Sequence, residues 1–284
     1  MFTGYNLVVE DRYKSIFEYY ESRGRNHLAD QKASFKEKIK DYIINGVGDG
    51  TKMESDWFPQ IEADIFISHS HADEALATGI AGWLNSNFGL RCFIDSCVWN
   101  YCDDLLDKIN AQFSDKRKDS NGGYLYDYKK CNVASKHVNT MLSVALQKMI
   151  DKTEMVLLLN TSNSVTSYEN VYEEVTYSPW IYSEITCTQI VRKKPLSEYR
   201  KYESIIKHFF ESGQMRHDES EFKAVYEVSL SHLGKMSADT LLIWKEECKN
   251  KKNLYPLDYL YKITYPKEMK NIGEFKKRYD ILIG

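Results

Sequence analysis

An α/β domain built on a buried parallel sheet is what this sequence predicts, and three observations predict it. First, the runs "DIFIS" (Asp64 to Ser68), "RCFID" (Arg91 to Asp95) and "EMVLLLN" (Glu154 to Asn160) have the length and apolar, β-branched character of strands. Second, the last of them is too apolar for an exposed edge, as expected where helices cover both faces of a sheet. Third, the first two runs flank a helical pattern from about Asp73 to Phe88, with Leu76, Ile80, Trp83 and Leu84 inward and Gly89 ending it. Strand, helix and strand in about 30 residues make a βαβ unit, whose strands run parallel.

The other elements follow in order. Residues 1–60 read as a helical accessory segment. A patterned run begins at Ile16, Phe17, Tyr19 and Tyr20 and is broken near Gly24; Phe35, Ile39, Tyr42 and Ile43 then recur at helical spacing until "NGVGDG". Residues 61–284 read as the main domain. Within it "SCVWNYCDD" is a polar-aromatic loop, and the charged, glycine-broken stretch 114–130 is an inserted loop. Ser135 to Thr153 is a helix, and "TSNSVTSYENVYEEVTY" is a polar loop. Residues 196–222 are a second, helical insertion. Lys223 to Leu230 alternates like a fourth strand, Ala238 to Cys248 is a helix, and "LYPLDYLYKI" is a tail that packs back on the domain.

Composition narrows the function classes. The chain has 284 residues, 43% hydrophobic and 28% charged, with a formal net charge of −3. That is enough apolar material for a core, and too little positive charge for a phosphate-backbone binder, so no nucleic-acid partner is expected. No signal peptide or membrane-length apolar run is apparent, and the six cysteines form no CxxC pair. The expected setting is the cytoplasm, with free thiols and no membrane partner.

The chemistry concentrates at "SPWIYSEI", Ser178 to Ile185. Ser178 followed by Pro179 reads as an N-cap and first helical position. Trp180 and Glu184, four residues apart, fall on one face, with Ile181 and Ile185 on an adjacent buried one. A flat aromatic beside a carboxylate suits a ligand with a ring to stack and hydroxyls or positive charge to hold. His69, His71 and Asp73 lack a third well-placed ligand, so no metal is expected. No glycine-rich phosphate loop is present.

Three stretches together resemble a TIR (Toll/interleukin-1 receptor) domain: "DIFISHSHADE" as its first-strand motif, "GLRCFIDSCVW" as its second strand entering the BB loop, and "SPWIYSEI" as the Ser-x-Trp-x-x-x-Glu motif of its third helix. The resemblance covers roughly residues 63–260 and is greatest to bacterial TIR proteins of Thoeris-type antiphage defence. It implies a flavodoxin-like fold, although no fourth apolar strand follows the third helix closely and no fifth is visible.

The resemblance further implies an enzyme that cleaves the nicotinamide N-glycosidic bond of NAD, with Glu184 as the catalytic residue. NAD is then a substrate and no cofactor is needed. Nicotinamide leaves a cationic ring without a general acid, and one carboxylate holding the ribose hydroxyls stabilises the oxocarbenium-like transition state. Trp180 stacks on a ring of the nucleotide. Ser68, His69 and Ser70 sit at the carboxyl end of the first strand run, and Trp99 and Tyr101 close over the ligand. The product is an ADP-ribose derivative, linear, cyclic or conjugated, that acts as a messenger to a partner effector protein; homo-oligomers form through TIR contacts. The competing expectation is a non-catalytic scaffold. A nucleotide-sized cleft between Ser68 and Glu184 favours the enzyme, and a Glu184 carboxylate turned into packed core favours the scaffold.

Overall fold

The computed structural model describes residues 1–29, 31, 39–44, 47–99, 102–119, 122–168, 172–200, 224–250, 254–266 and 269. Its elements are β1 (Thr3–Val8), α1 (Asp11–Glu18), α2 (Glu21–Ala29), α3 (Gly50–Trp57), β2 (Ile65–Ser68), α4 (Glu74–Phe88) and β3 (Cys92–Phe93). Then come α5 (Cys102–Phe113), α6 (Tyr128–Lys152), β4 (Met155–Asn160), β5 (Thr166–Tyr168), β6 (Tyr172–Thr176) and α7 (Pro179–Ile190). The chain continues with β7 (Tyr226–Glu227), β8 (Gly234–Ser237), α8 (Ala238–Asn250) and α9 (Pro256–Thr264). Short hairpins join Ile43–Ile44 to Val47–Gly48 and Arg117–Lys118 to Tyr124–Leu125.

The main sheet has five strands in the order β8-β1-β4-β2-β3, all parallel. The three expected strand runs are β2, β3 and β4, and they lie side by side with β4 next to β2. Residues 1–60 depart from the expected helical accessory segment, because Thr3–Val8 pairs with β4 along its whole length and with β8 on its other side. Tyr5 and Leu7 of that strand are fully buried. The stretch expected as a fourth strand contributes only Tyr226–Glu227, which joins β5 and β6 in a separate antiparallel sheet. That second sheet also turns part of the expected polar loop before α7 into a hairpin. Of the expected insertion at 196–222, Leu196–Glu198 forms one 3₁₀ turn and residues 201–222 lie outside the described residues.

Strand alternation divides the core in two. Leu157 and Leu159 of β4 face the main core with Ile80, Trp83 and Leu84 of α4. Leu158, between them, faces a smaller core with Ile181 and Ile185 of α7 and with Val228, Leu230 and Leu233. Successive side chains on a strand point to opposite faces, so Leu158 is turned away from Leu157 and Leu159.

Close backbone approach explains why α2 continues through Gly24 where the sequence suggests a break. A methyl group on Gly24 would lie 1.9 Å from the Thr78 carbonyl oxygen, and one on Gly82 would lie 2.3 Å from the Tyr20 carbonyl oxygen. Glycine on both helices lets α2 pack directly on α4. Gly82→Ala is therefore expected to lower stability by about 1–3 kcal/mol in urea unfolding, the cost of overpacking. At an exposed helix position the same change raises stability by about 1 kcal/mol, so a gain here would show that the seam has slack.

A buried ionic cluster closes the amino end of β4. Arg200 donates to Glu154 at 2.5 and 2.9 Å and also to Asp258, while Tyr261 donates to Glu154 at 2.9 Å. The guanidinium lies 4.2 Å from the centre of the Tyr255 ring. This fastens α9 to the sheet, as the sequence suggests for the C-terminal stretch, with Leu257, Leu260 and Tyr261 fully buried. Arg200→Met leaves two buried carboxylates without their cation. The expected loss is about 3–5 kcal/mol in the same unfolding measurement.

The six cysteines are all unpaired. Among the described residues no helix is long and apolar enough to cross a membrane.

Candidate active site

In a parallel sheet every strand presents its carboxyl end on the same side, and ligands bind where neighbouring strands send their chains in opposite directions. That point lies between β2 and β4. From β2 the chain moves outward to β3, whereas from β4 it eventually reaches β8 at the far edge. The residues leaving these two strands form the candidate site.

The helix that carries Glu184 starts as its sequence dictates. Ser178 is the N-cap, its hydroxyl accepting from the Ile181 amide at 3.2 Å, and Pro179 opens the first turn. Ile181 and Ile185 anchor α7 on the smaller core, and this rotation turns Glu184 toward the end of β2. There Ser68 Oγ donates to Glu184 Oε2 at 2.5 Å. Residues 116 positions apart in the chain thus meet, as expected from the sequence.

Glu184 is only 5% exposed. Burial holds its carboxyl well above the ordinary carboxylate range; the negative charge of Asp95 adds to this, and the Ser68 hydrogen bond opposes it. Asp95 is half-buried at the end of the second expected strand run, where it opens a single helical turn, Asp95–Val98. Sequence reasoning did not nominate it. The signal was present, since an acidic residue closing an apolar strand run has its side chain at the carboxyl end of the sheet.

His69 follows Ser68 directly and is 8% exposed, with both ring nitrogens enclosed and without a hydrogen-bond partner among the described residues. Burial lowers its pKa, Asp95 pushes it back up, and His71 lowers it. Ser70 is half-buried and begins the turn His71–Asp73, its carbonyl accepting from the Asp73 amide at 2.8 Å. A further link was not foreseen. Asp73 accepts from Thr161 Oγ1 at 2.5 Å and from Asn163 Nδ2 at 2.9 Å, which ties the chain leaving β2 to the chain leaving β4.

One expected ligand contact comes out differently. Trp99 is a core residue, 4% exposed: its indole donates to the Pro59 carbonyl at 2.9 Å and its ring packs edge-on against Phe58 and Phe93. An aromatic in a nominally polar loop was claimed by the apolar surface beneath it. Trp180 is half-buried and packs against the main core. Tyr101 lies outside the described residues.

Among the described residues, the cavity beside Glu184 is far smaller than the expected nucleotide-sized cleft. The cavity lined by Ser68, Val156, Leu158, Glu184, Ile185, Thr188 and Leu233 measures about 10 Å³, room for about one water molecule. Glu184 and Ser68 are in contact at this small cavity, whose walls are mainly apolar.

A raised carboxyl pKa has a sign in stability. Above about pH 4.3 an unfolded chain releases the Glu184 proton, while the folded chain keeps it. Folding stability therefore falls as pH rises through that window. Glu184→Gln removes this loss. The variant is expected to melt a few degrees above the parent at pH 8, with the gap closing toward pH 4. A variant less stable than the parent at pH 8 would show that the carboxylate is a net stabiliser.

No known protein family, characterised protein or solved structure matches the chain.

Proposed function

We propose that this chain is a TIR-like enzyme that cleaves the nicotinamide N-glycosidic bond of NAD, with Glu184 as its catalytic residue. The observation that carries the reading is a carboxylate kept against the interest of stability. Glu184 is buried beside a second acid, Asp95, and held by Ser68 at the switch point of a parallel sheet. The sheet order supports the fold part of the proposal. The strands β3-β2-β4 reproduce the first three places of the flavodoxin-like order, and the N-terminal β1 fills the fourth place, with β8 in the fifth. The fourth strand that the sequence after α7 lacks is thus supplied from the other end of the chain.

The chemistry follows from charge. The charge of Asp95 disfavours ionisation of Glu184, and a cationic nicotinamide ring relieves that repulsion. Binding of NAD then favours the ionised form of Glu184, whose charge and hydrogen bonds to the ribose hydroxyls stabilise the cation developing at the anomeric carbon. Admission of the substrate requires Ser68 and Glu184 to separate, so the described form is the resting one and activity depends on an opening step. The ADP-ribosyl product, released or cyclised, serves as a messenger to an effector protein in antiphage defence. Copies of the chain associate when active, and the setting is cytoplasmic.

A second reading, a non-catalytic assembly module, is favoured by the closed cavity, because a carboxylate facing packed core is what that reading expects. The two are separated by incubating the protein with NAD, with and without extract of phage-infected cells, and analysing products by mass. Nicotinamide release by the parent, lost by at least about 100-fold in Glu184→Gln while the fold persists, is the expected outcome. Equal rates in parent and variant would remove Glu184 from catalysis, and no release under either condition would leave the assembly module as the function.

A further inference from the structure

Exposed apolar side chains concentrate where α5 ends and α6 begins. Phe113, Tyr124, Leu125, Tyr126, Tyr128 and Val133 all lie in this short stretch, and Tyr128 is 77% exposed. No described residue from Asp115 to Val133 is buried. Single exposed apolar residues need no explanation, but a cluster marks an interaction surface. The backbone beneath it is ordered. α5 and α6 pack on each other, the Asp127 amide donates to the Ser114 carbonyl at 2.8 Å, and Arg117–Lys118 pairs with Tyr124–Leu125.

Charge says what covers this surface. Lys130 pairs with Asp115 at 2.8 Å, and Lys116 lies 3.8 Å from the centre of the Tyr124 ring. Arg117, Lys118 and Lys129 are exposed and form no ion pair among the described residues. The other end of α5 is acidic. Asp103, Asp104 and Asp107 are exposed there, also without an ion pair among the described residues. The helix dipole accounts for Asp103 and Asp104 in the first turn, but Asp107 lies beyond it. Asp104, Asp107 and Ala111 fall on one exposed side of α5, which leads from the acidic end toward the basic tip. At the helical rise, the two ends are about 15–20 Å apart.

We propose that α5 and the hairpin after it form a two-fold interface with a second copy of this chain. The acidic end of one α5 lies against the basic, aromatic tip of the other. Two-fold symmetry makes each contact occur twice, so a surface with opposite charges at its two ends is complementary to itself. Ala111, small and exposed between the ends, lets the two helices approach closely. The tyrosines and Phe113 supply the apolar contact, as aromatic residues do at interface cores. An anionic membrane fits the tip alone and repels the acids of α5. This surface would serve the association proposed above, but the inference does not depend on NAD cleavage.

Sedimentation velocity across about 1–100 μM tests it. The parent is expected to form a dimer that high salt weakens. Arg117→Glu with Lys118→Glu, and separately Asp104→Lys with Asp107→Lys, are each expected to weaken the dimer by about 100-fold or more. Thermal unfolding is the fold control. Mixing the two variants is expected to restore a dimer, because every contact then joins opposite charges again. A parent that stays monomeric overturns the proposal. So does a dimer that neither reversal weakens, which would lie on another face, and so do variants that fail to recover on mixing. A monomer that sediments with phosphatidylserine vesicles would make the tip a membrane contact and overturn it too. Nicotinamide release is read in a separate assay, so failure of the NAD reading leaves the dimer result standing.

Discussion

Everything described here depends on the parallel pairing of β4 with β1 on one side and β2 on the other. β4 supplies Leu157 and Leu159 to one core and Leu158 to the other, so its register fixes which helices cover which face. A slip of one residue would exchange the two sets. The same pairing fixes the site: with β2 beside β4 and their chains departing in opposite directions, Ser68 and the start of α7 have only one place to meet. Since β1 completes the far side of β4, the N-terminal segment belongs to the site's foundation.

Against that apolar background the carboxylate of Glu184 is an anomaly. A Gln or Met in its place would suit the walls of the small cavity better, and Asp95 makes the mismatch worse. Acidic groups held in such surroundings serve chemistry more often than architecture. The contrast with Glu154 is instructive. Glu154 is equally buried, and burial raises its pKa too, but Arg200 and Tyr261 satisfy its oxygens. One buried carboxylate is paired and structural; among the described residues the other has a single hydroxyl, that of Ser68, and a repelling neighbour.

The closed form also gives the Asp73 link its meaning. Its bonds to Thr161 and Asn163 join the chain segments that leave β2 and β4.

Local pattern alone determined the three central strands, helix α4 and the cap at Ser178–Pro179. Each rests on apolar periodicity or capping chemistry that neighbouring residues dictate. Tertiary structure decided the rest. Thr3–Val8 becomes a central strand only through its pairing with β4 and β8. Gly234–Ser237 is too short and polar to be recognised as a strand without β1 beside it. Trp99 went to the core because Phe58 and Phe93, distant in sequence, offered it an apolar surface. Asp95 gained its importance from Glu184, about 90 residues away, because charge interactions follow distance in space. Strand neighbours, cavity size and the charge around a carboxylate are all properties of non-local contact, and no window of sequence contains them.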